Sequence, residues 1–249
     1  MDVILKDGSR IELPSGSSVM DAAKQISEGL ARNTFAAEIN GELSDIRDEL
    51  QDGDSLNLLT FDTEGGKWTL RHTASHVLAQ AVKRLYPEAK LAIGPAIDTG
   101  FYYDFDVETP FTQEDLDRIE AEMKKIVKEK IPLERFELTR EEALKFMEEK
   151  DEPYKVELIN DLPEGSRITF YRQGDFVDLC AGPHVTDTSK IKALKLINAT
   201  GAYWRGDSSR KMLCRIYGTA FMKKDDLDAY LQRLEEAKKR DHRRLGREL

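Results

Sequence analysis

Cysteine is almost absent. Two residues in a chain of 249 cannot form a disulfide framework, which excludes the small stapled scaffolds of secreted proteins and points to a reducing, cytoplasmic setting. No apolar run approaches the roughly 20 residues of a membrane-spanning helix, so no membrane partner is expected. The opening stretch MDVILKDGSR lacks the basic start and long apolar segment of a signal peptide. No internal repeat or low-complexity tract is present, which excludes solenoids and disordered tails. Histidine is also scarce, at four residues.

What remains is ordinary globular composition: 40% apolar and 34% charged residues, enough for one large domain or two modest ones. The net charge of −9 is unevenly spread. Residues 1–62 hold 13 Asp/Glu against 5 Lys/Arg, a net of −8, and the remaining 34 against 33 leave −1. The acidity belongs to the N-terminal part, so the rest of the chain is free to present a local basic surface to RNA.

Residues 1–62 predict a compact unit. VILKDGSRIEL is a hairpin around Asp7-Gly8, and SVMDAAKQISEGLA is a helix with Ser18 and Asp21 as its cap. A second hairpin at Asn40-Gly41 and the strand DSLNLLTF complete a β-grasp pattern. DTEGGK, residues 62–67, reads as a linker. Beyond it, Leu70, Ala74, Val77, Leu78, Ala81 and Leu85 recur at helical spacing before Pro87. FYYDFD reads as a strand. Thr112 with Asp115 and Thr139 with Glu142 mark two helix starts. YKVELI, SRITFYR, FVDLC, IKALKLI and MLCRIYG read as strands. From residue 223 a charged amphipathic helix runs on, with a break expected near Gly246. The expected fold class is α+β with mainly antiparallel sheet.

Three of the four histidines and one of the cysteines fall in two matched pairs. His72 and His76 are four apart on a helix, so both imidazoles leave the same face. The zincin signature needs Glu after the first histidine, and Thr73 stands there instead. Cys180 and His184 flank Gly182-Pro183, a tight turn after a strand. Three imidazoles and a thiol match a tetrahedral zinc set by type; they also suit a metal-free pocket that positions water. Taken singly, either pair is also what half-buried structural side chains look like. Cys214 alternates with Ile216 as a core residue would, and His242 lies among Arg and Asp on a solvated helix.

The strings RHTASHVLAQAVKRLYP, AIGPAIDTGFYYDF, EPYKVELI, DLCAGPHV and TGAYWRGDSSRKMLCRIYGTA resemble the N-terminal region of bacterial threonyl-tRNA synthetases, and the resemblance covers the whole chain. It implies a TGS domain at 1–62, an editing domain at 63–221 and, at 222–249, a linker helix toward an aminoacylation domain. The class II motifs of that last domain are absent, so the chain is not expected to charge tRNA; an engineered fragment and a natural stand-alone editor both fit. ATP, magnesium and a further zinc would belong to that domain. The resemblance implies a threonine-specific tRNA with an aminoacylated 3′ end as partner, a monomeric fragment and a homodimeric parent. It assigns the pocket to His72, His76, Tyr103, Lys155, Asp178, Cys180 and His184. Catalytic roles are expected for His72, Lys155, His76, Cys180 and His184, and substrate contacts for Asp178, Tyr103 and Gly94.

The chemistry expected from that resemblance is proofreading. Serine is threonine less one methyl, and a single methylene discriminates only about 10–200-fold. A second site that admits serine and rejects threonine by overlap with a packed wall removes the error. Hydrolysis of seryl-tRNA needs water, an orienting group and polarisation of the ester, with no cofactor required. Alanyl-tRNA synthetase editing domains share HxxxH and CxxxH and hold zinc there; if zinc binds here, its ligands are His72, His76, Cys180 and His184. Two rivals follow: a zinc-dependent editor of the alanyl type, and a tRNA-docking module without catalysis.

Overall fold

Asp7 and Gly8 turn the chain between β1 (Asp2–Leu5) and β2 (Arg10–Glu12). The structure, a computed structural model, describes residues 1–248. The helix expected after Ser18 is two: α1 (Val19–Ile26) and α2 (Glu28–Asn33). Ser18 and Asp21 form the expected capping box on α1. Ser27 then leaves the helix with extended backbone, and its hydroxyl accepts from Leu30 N, so it ends one helix and caps the next. The strands β3 (Ala36–Ile39), β4 (Glu42–Ser44) and β5 (Ser55–Leu59) follow. The sheet order is β2-β1-β5-β3-β4, with β1 and β5 parallel and the other pairs antiparallel. Val3, Val19, Ala22, Ile46, Leu50 and Leu56 fill the space between sheet and helix. This is the β-grasp arrangement.

The glycines of DTEGGK are not a linker. Thr63 caps α3 (Glu64–Leu85), and Gly65 and Gly66 lie in its first turn. A Cβ on Gly66 would stand 1.8 Å from Thr60 O, and one on Gly65 2.6 Å from Leu59 Cδ1. The glycines are there so that α3 can start against the end of β5. From Thr69 to Val82 every α3 side chain is buried, because the helix runs through the main core rather than over its surface.

The sheet beside α3 contains β6 (Lys90–Leu91), β7 (Ala96–Ile97), β8 (Gly100–Asp106) and two later strands. Next come α4 (Gln113–Lys128), β9 (Leu133–Leu138), α5 (Arg140–Glu149) and α6 (Pro153–Asp161). They are followed by β10 (Ile168–Gln173), β11 (Phe176–Leu179), β12 (Ala193–Tyr203), β13 (Met212–Phe221) and α7 (Lys224–Glu248). One antiparallel sheet runs β12-β13-β8-β6, with β7 also on β8; a smaller one runs β11-β10-β9. The α+β class with antiparallel sheets and a C-terminal helix stands as the sequence predicts.

YKVELI is the misread segment. It is the body of α6, not a strand. Pro153 occupies the first turn, where its missing N–H costs nothing. Tyr154 and Leu158 pack toward Trp204 while Val156 and Ile159 pack toward Phe170, two apolar stripes at helical spacing. Helix α7 runs through Gly246 without the expected break. Among the described residues, no helix is long and apolar enough to cross a membrane.

Candidate functional site

Helix α3 carries His72 and His76 on one face. The turn after β11 carries Cys180 and His184, and the fold brings the two together. Cys180 Sγ lies 3.4 Å from His72 Nε2 and 3.2 Å from His184 Nε2. The His184 ring stacks on His72 at 4.2 Å between centroids, and His76 meets His184 at the same distance. The ligand atoms of all four lie within 4.8 Å of one another. Gly182 and the cis Gly182–Pro183 peptide fold the turn back, with Gly182 at φ +77°. Gly182 N donates to Cys180 Sγ at 3.3 Å. Any Cβ on Gly182 would stand 2.1 Å from the Tyr171 hydroxyl oxygen, so this position requires glycine on two counts.

A charged layer lies beside the quartet. Asp178, at the end of β11, takes the Tyr103 hydroxyl at 2.7 Å. Lys155 Nζ stands 2.9 Å from its other oxygen, an ion pair off the line of a hydrogen bond. Lys155 also sits 5.4 Å above the Tyr103 ring. His76 Nε2 is 3.7 Å from Asp178 Oδ2, too far for a hydrogen bond. Gly94 belongs here for a reason the sequence does not give: its Cβ would fall 2.0 Å from Tyr103 Cδ2, and its carbonyl accepts from Ser75 Oγ.

Burial sets the protonation. His72 is lowered from 6.5 to about 3 by desolvation and then by His76, and His76 is lowered to about 4 by desolvation against the pull of Asp178. His184 falls well below its usual value for the same reason. The imidazoles are therefore neutral at pH 7. Desolvation pushes the Cys180 thiol up to about 12, so it keeps its proton. Asp178 is the exception: burial opposes its charge, but Lys155 leads a group of neighbours that holds it below the usual carboxylate range.

The hydrogen bonds select tautomers. His72 Nδ1 faces Pro183 O at 3.1 Å, which makes Nδ1 the donor and leaves the Nε2 lone pair toward Cys180. Thr73 Oγ1 donates to Thr69 O and accepts from Val185 N, so His184 Nδ1–H donates to Thr73 and its Nε2 lone pair also faces Cys180. Two lone pairs then converge on a sulfur with one proton to give. His76 Nδ1 has no hydrogen-bond partner. Such a donor set fits a metal ion, which would be held by His72, His76, Cys180 and His184. It fits an ordered water as well.

Every residue that the sequence nominates lies at or against this cluster. Two differ in their surroundings from expectation: Tyr103 is wholly buried with its hydroxyl committed to Asp178, and Lys155 projects from a helix. Cys214 is buried in β13 and His242 exposed on α7, both away from the site. Half-buried Trp68 packs against the His72 ring at 4.7 Å, and Ala181, next to Cys180, is exposed. A separate cavity of about 240 Å³, lined by Gln80, Lys83 and Phe176 among others, contains none of the quartet. Sequence reasoning missed Thr73, whose place between the two histidines was a usable signal, and Asp45 and Arg47, which gave none.

The comparisons with known proteins agree with this architecture. Residues 1–60 match the TGS domain. Residues 168–217 match the threonyl and alanyl tRNA synthetase second additional domain, a span that includes Asp178, Cys180 and His184. The chain is 66% identical over 247 residues to the threonine–tRNA ligase of Acetivibrio thermocellus, covering 99% of this chain and 39% of that protein. It is 64% identical over 247 residues to the corresponding ligase of Clostridium botulinum strain Kyoto, with the same coverage. To that of Clostridium tetani it is 61% identical over 249 residues, covering 100% of this chain and 39% of the ligase. The chain thus spans 39% of the length of these curated relatives. By domain content and by identity along its whole length, it corresponds to the N-terminal region of the bacterial threonine–tRNA ligases.

Proposed function

We propose that this chain is the proofreading part of a threonine–tRNA ligase and hydrolyses seryl-tRNA specific for threonine to serine and free tRNA, sparing threonyl-tRNA. Its units are the TGS domain at 1–62, the editing domain at 63–221 and the linker helix at 222–249. The parent enzyme, a homodimer acting in the cytoplasm, joins threonine to tRNA with ATP in a domain outside this chain. The observation that carries the reading is the convergence of buried His72, His76 and His184 on half-buried Cys180, beside the buried Lys155–Asp178 pair.

In the reaction, a water oxygen attacks the carbonyl carbon of the ester on the terminal ribose. The bond from carbonyl carbon to ribose oxygen breaks, and the ribose oxygen leaves with a proton. A histidine lowered to about 3 is a poor general base at neutral pH, because the best base has a pKa near the working pH. His72 therefore serves better as an acceptor that aims the water than as the group that takes its proton. His76 and His184 shape the neutral wall around it. Lys155 supplies the positive charge that stabilises the developing oxyanion. Asp178 holds Lys155 and is the group to receive the serine ammonium, which must then share it with that lysine. Tyr103 orients Asp178, and Gly94 leaves room for the Tyr103 ring. No acyl-enzyme is needed, since the Cys180 thiol keeps its proton and positioning alone supplies much of the barrier reduction.

The donor set of the quartet favours a second reading in which His72, His76, Cys180 and His184 would hold a zinc ion, which would supply Lewis-acid polarisation. Single-turnover deacylation of serylated and threonylated tRNA, with and without a chelator, tests both. Clearance of seryl-tRNA alone, untouched by chelator, supports the proposal. Loss of activity on chelation, with mischarged alanine tRNA as the better substrate, selects the zinc-dependent alanyl-type reading. Binding without deacylation of any of these leaves only the docking role.

A further inference from the structure

The turn that carries Cys180 and His184 is held from behind by the N-terminal β-grasp. Asp45 and Arg47 follow β4, in a turn closed by Asp48 N on Asp45 O and by Asp45 N on the Asp48 carboxylate. Asp45 Oδ2 accepts from His184 N at 3.0 Å and from the Tyr171 hydroxyl at 2.6 Å. Arg47 Nη1 donates to His184 O at 2.9 Å, and Nη2 donates to Val185 O at 2.8 Å. The same guanidinium reaches Leu133 O and is anchored by Asp45 Oδ1. Both backbone polar groups of His184 are thus satisfied by the N-terminal unit, while its imidazole is satisfied by Thr73. His184 is fully buried, so without these partners its N–H and C=O would be orphaned away from water.

Tyr171 extends the hold. Its ring packs edge-on against His184 at 4.4 Å, and its hydroxyl occupies the space over Gly182. Arg47 lies 5.5 Å from the same ring centre. Asp45 is buried, yet Arg47, the Tyr171 hydroxyl and the amides of Arg47 and His184 outweigh that burial and keep it ionised. Charge-assisted hydrogen bonds of this kind are short and roughly twice as strong as neutral ones. A lone structural contact between two domains would not need to satisfy both sides of one site residue.

We propose that Asp45 and Arg47 are positioning residues of the hydrolytic site, holding the Cys180–His184 turn in register with His72 and His76. The N-terminal unit is then part of the site's scaffold rather than only a handle for RNA. The inference rests on the hydrolytic reading above for its effect on rate, but its geometric consequence can be read without any activity.

The test uses the whole chain with Asp45→Asn, Arg47→Ala, Arg47→Lys and Tyr171→Phe. Two quantities are measured. One is the single-turnover rate constant for seryl-tRNA, with its half-saturating protein concentration. The other is the iodoacetamide alkylation rate at Cys180, resolved from Cys214 by peptide mass. Misplacement of a site by about 1 Å can cost a hundredfold in rate. Asp45→Asn and Arg47→Ala are therefore expected to slow the rate constant about tenfold or more, with half-saturation within about twofold. Alkylation of Cys180 should rise severalfold, with Cys214 unchanged. Tyr171→Phe and Arg47→Lys should give smaller shifts in the same sense, and they decide the matter if Arg47→Ala does not fold. Unchanged rate and alkylation in folded variants overturn the proposal. So does an effect confined to half-saturation, which would make the N-terminal unit a tRNA-capture device. A parent chain that deacylates nothing removes the hydrolytic reading and leaves alkylation alone to decide whether the turn is held.

Discussion

Lys155 and Asp178 form an ion pair at 2.9 Å with side-chain exposures of only 4% and 2%. Two charges at that depth lose most of their hydration, and their mutual attraction must replace it. Removing one partner strands the other, at a typical cost of 3–5 kcal/mol. Lys155→Met and Asp178→Leu are each expected to lower unfolding free energy by about that much. Together they should cost far less than the sum of the single changes, because no charge is left unpaired. Urea unfolding of the four proteins reads this coupling. Strict additivity would mean that water reaches the pair and that its burial contributes nothing special. All three variants should lose deacylation.

The buried histidines make stability depend on pH in a defined window. His72 and His76 titrate in the native protein at about 3 and about 4, against 6.5 for the ordinary side chain. Between these limits the unfolded chain binds protons that the native chain refuses, so stability falls as pH falls. It is fully present above about pH 6.5 and erodes below it. Asp178 and Asp45, held below the usual 3.8, lose their contribution only at lower pH. Glu152 and Asp104, whose carboxyls burial raises, work in the opposite direction at the acid end. Replacing His72 and His76 together by Gln should reduce the decline between pH 6.5 and 5 to the part that buried His184 carries, in a region where the ordinary carboxylates are largely silent. A decline undiminished by the double replacement would place the titrating groups elsewhere.

Gly94 and Tyr103 give a steric test. A methyl on Gly94 would stand 2.0 Å from the Tyr103 ring, and the ring has no room to retreat because it is fully buried against Phe105 and tied to Asp178. Gly94→Ala is expected to cost roughly 1–3 kcal/mol, as overpacking usually does, and to displace the carboxylate that Tyr103 holds. Pairing it with Tyr103→Leu should recover part of the stability but not the deacylation, since the hydroxyl on Asp178 is gone. Full recovery of both would show that Gly94 acts only on packing.

The helices and strands that the sequence revealed were those with strong local signals. Ser18–Asp21 and Thr112–Asp115 cap helices as read, and Asp7-Gly8 turns a hairpin as read. YKVELI failed because an alternating, β-branched hexamer looks like a strand until Trp204 and Phe170 supply two separate surfaces for its faces. DTEGGK failed because paired glycines signal a loop, whereas here they admit Thr60 and Leu59 against a helix start. The histidine and cysteine pairs were visible by spacing, and Thr73, between His72 and His76, was read only as the residue that excludes a zincin, not as the partner of His184. Asp45 and Arg47 could not be read at all: their partners beyond the N-terminal unit are 86 or more residues away at Leu133, Tyr171, His184 and Val185, and nothing local distinguishes them from other charges of an acidic unit.

The Cys180 thiol decides between positioning and covalent catalysis. With burial pushing it up to about 12, fewer than roughly one thiol in ten thousand is ionised at pH 7, since each unit of separation is a factor of ten. An acyl-enzyme on that sulfur would need a base to take its proton, and the neighbouring imidazoles are held too acidic to do so efficiently. Cys180→Ser is therefore expected to retain seryl-tRNA deacylation within about tenfold, because a hydroxyl still offers a proton to the converging Nε2 lone pairs. Quenched reactions of the parent should show no seryl adduct on the Cys180 peptide. An adduct that forms and decays at the turnover rate would make the thiol the nucleophile. A folded serine variant that loses all activity, together with a stoichiometric metal present in the parent and missing from the variant, would instead give the sulfur the role of a ligand.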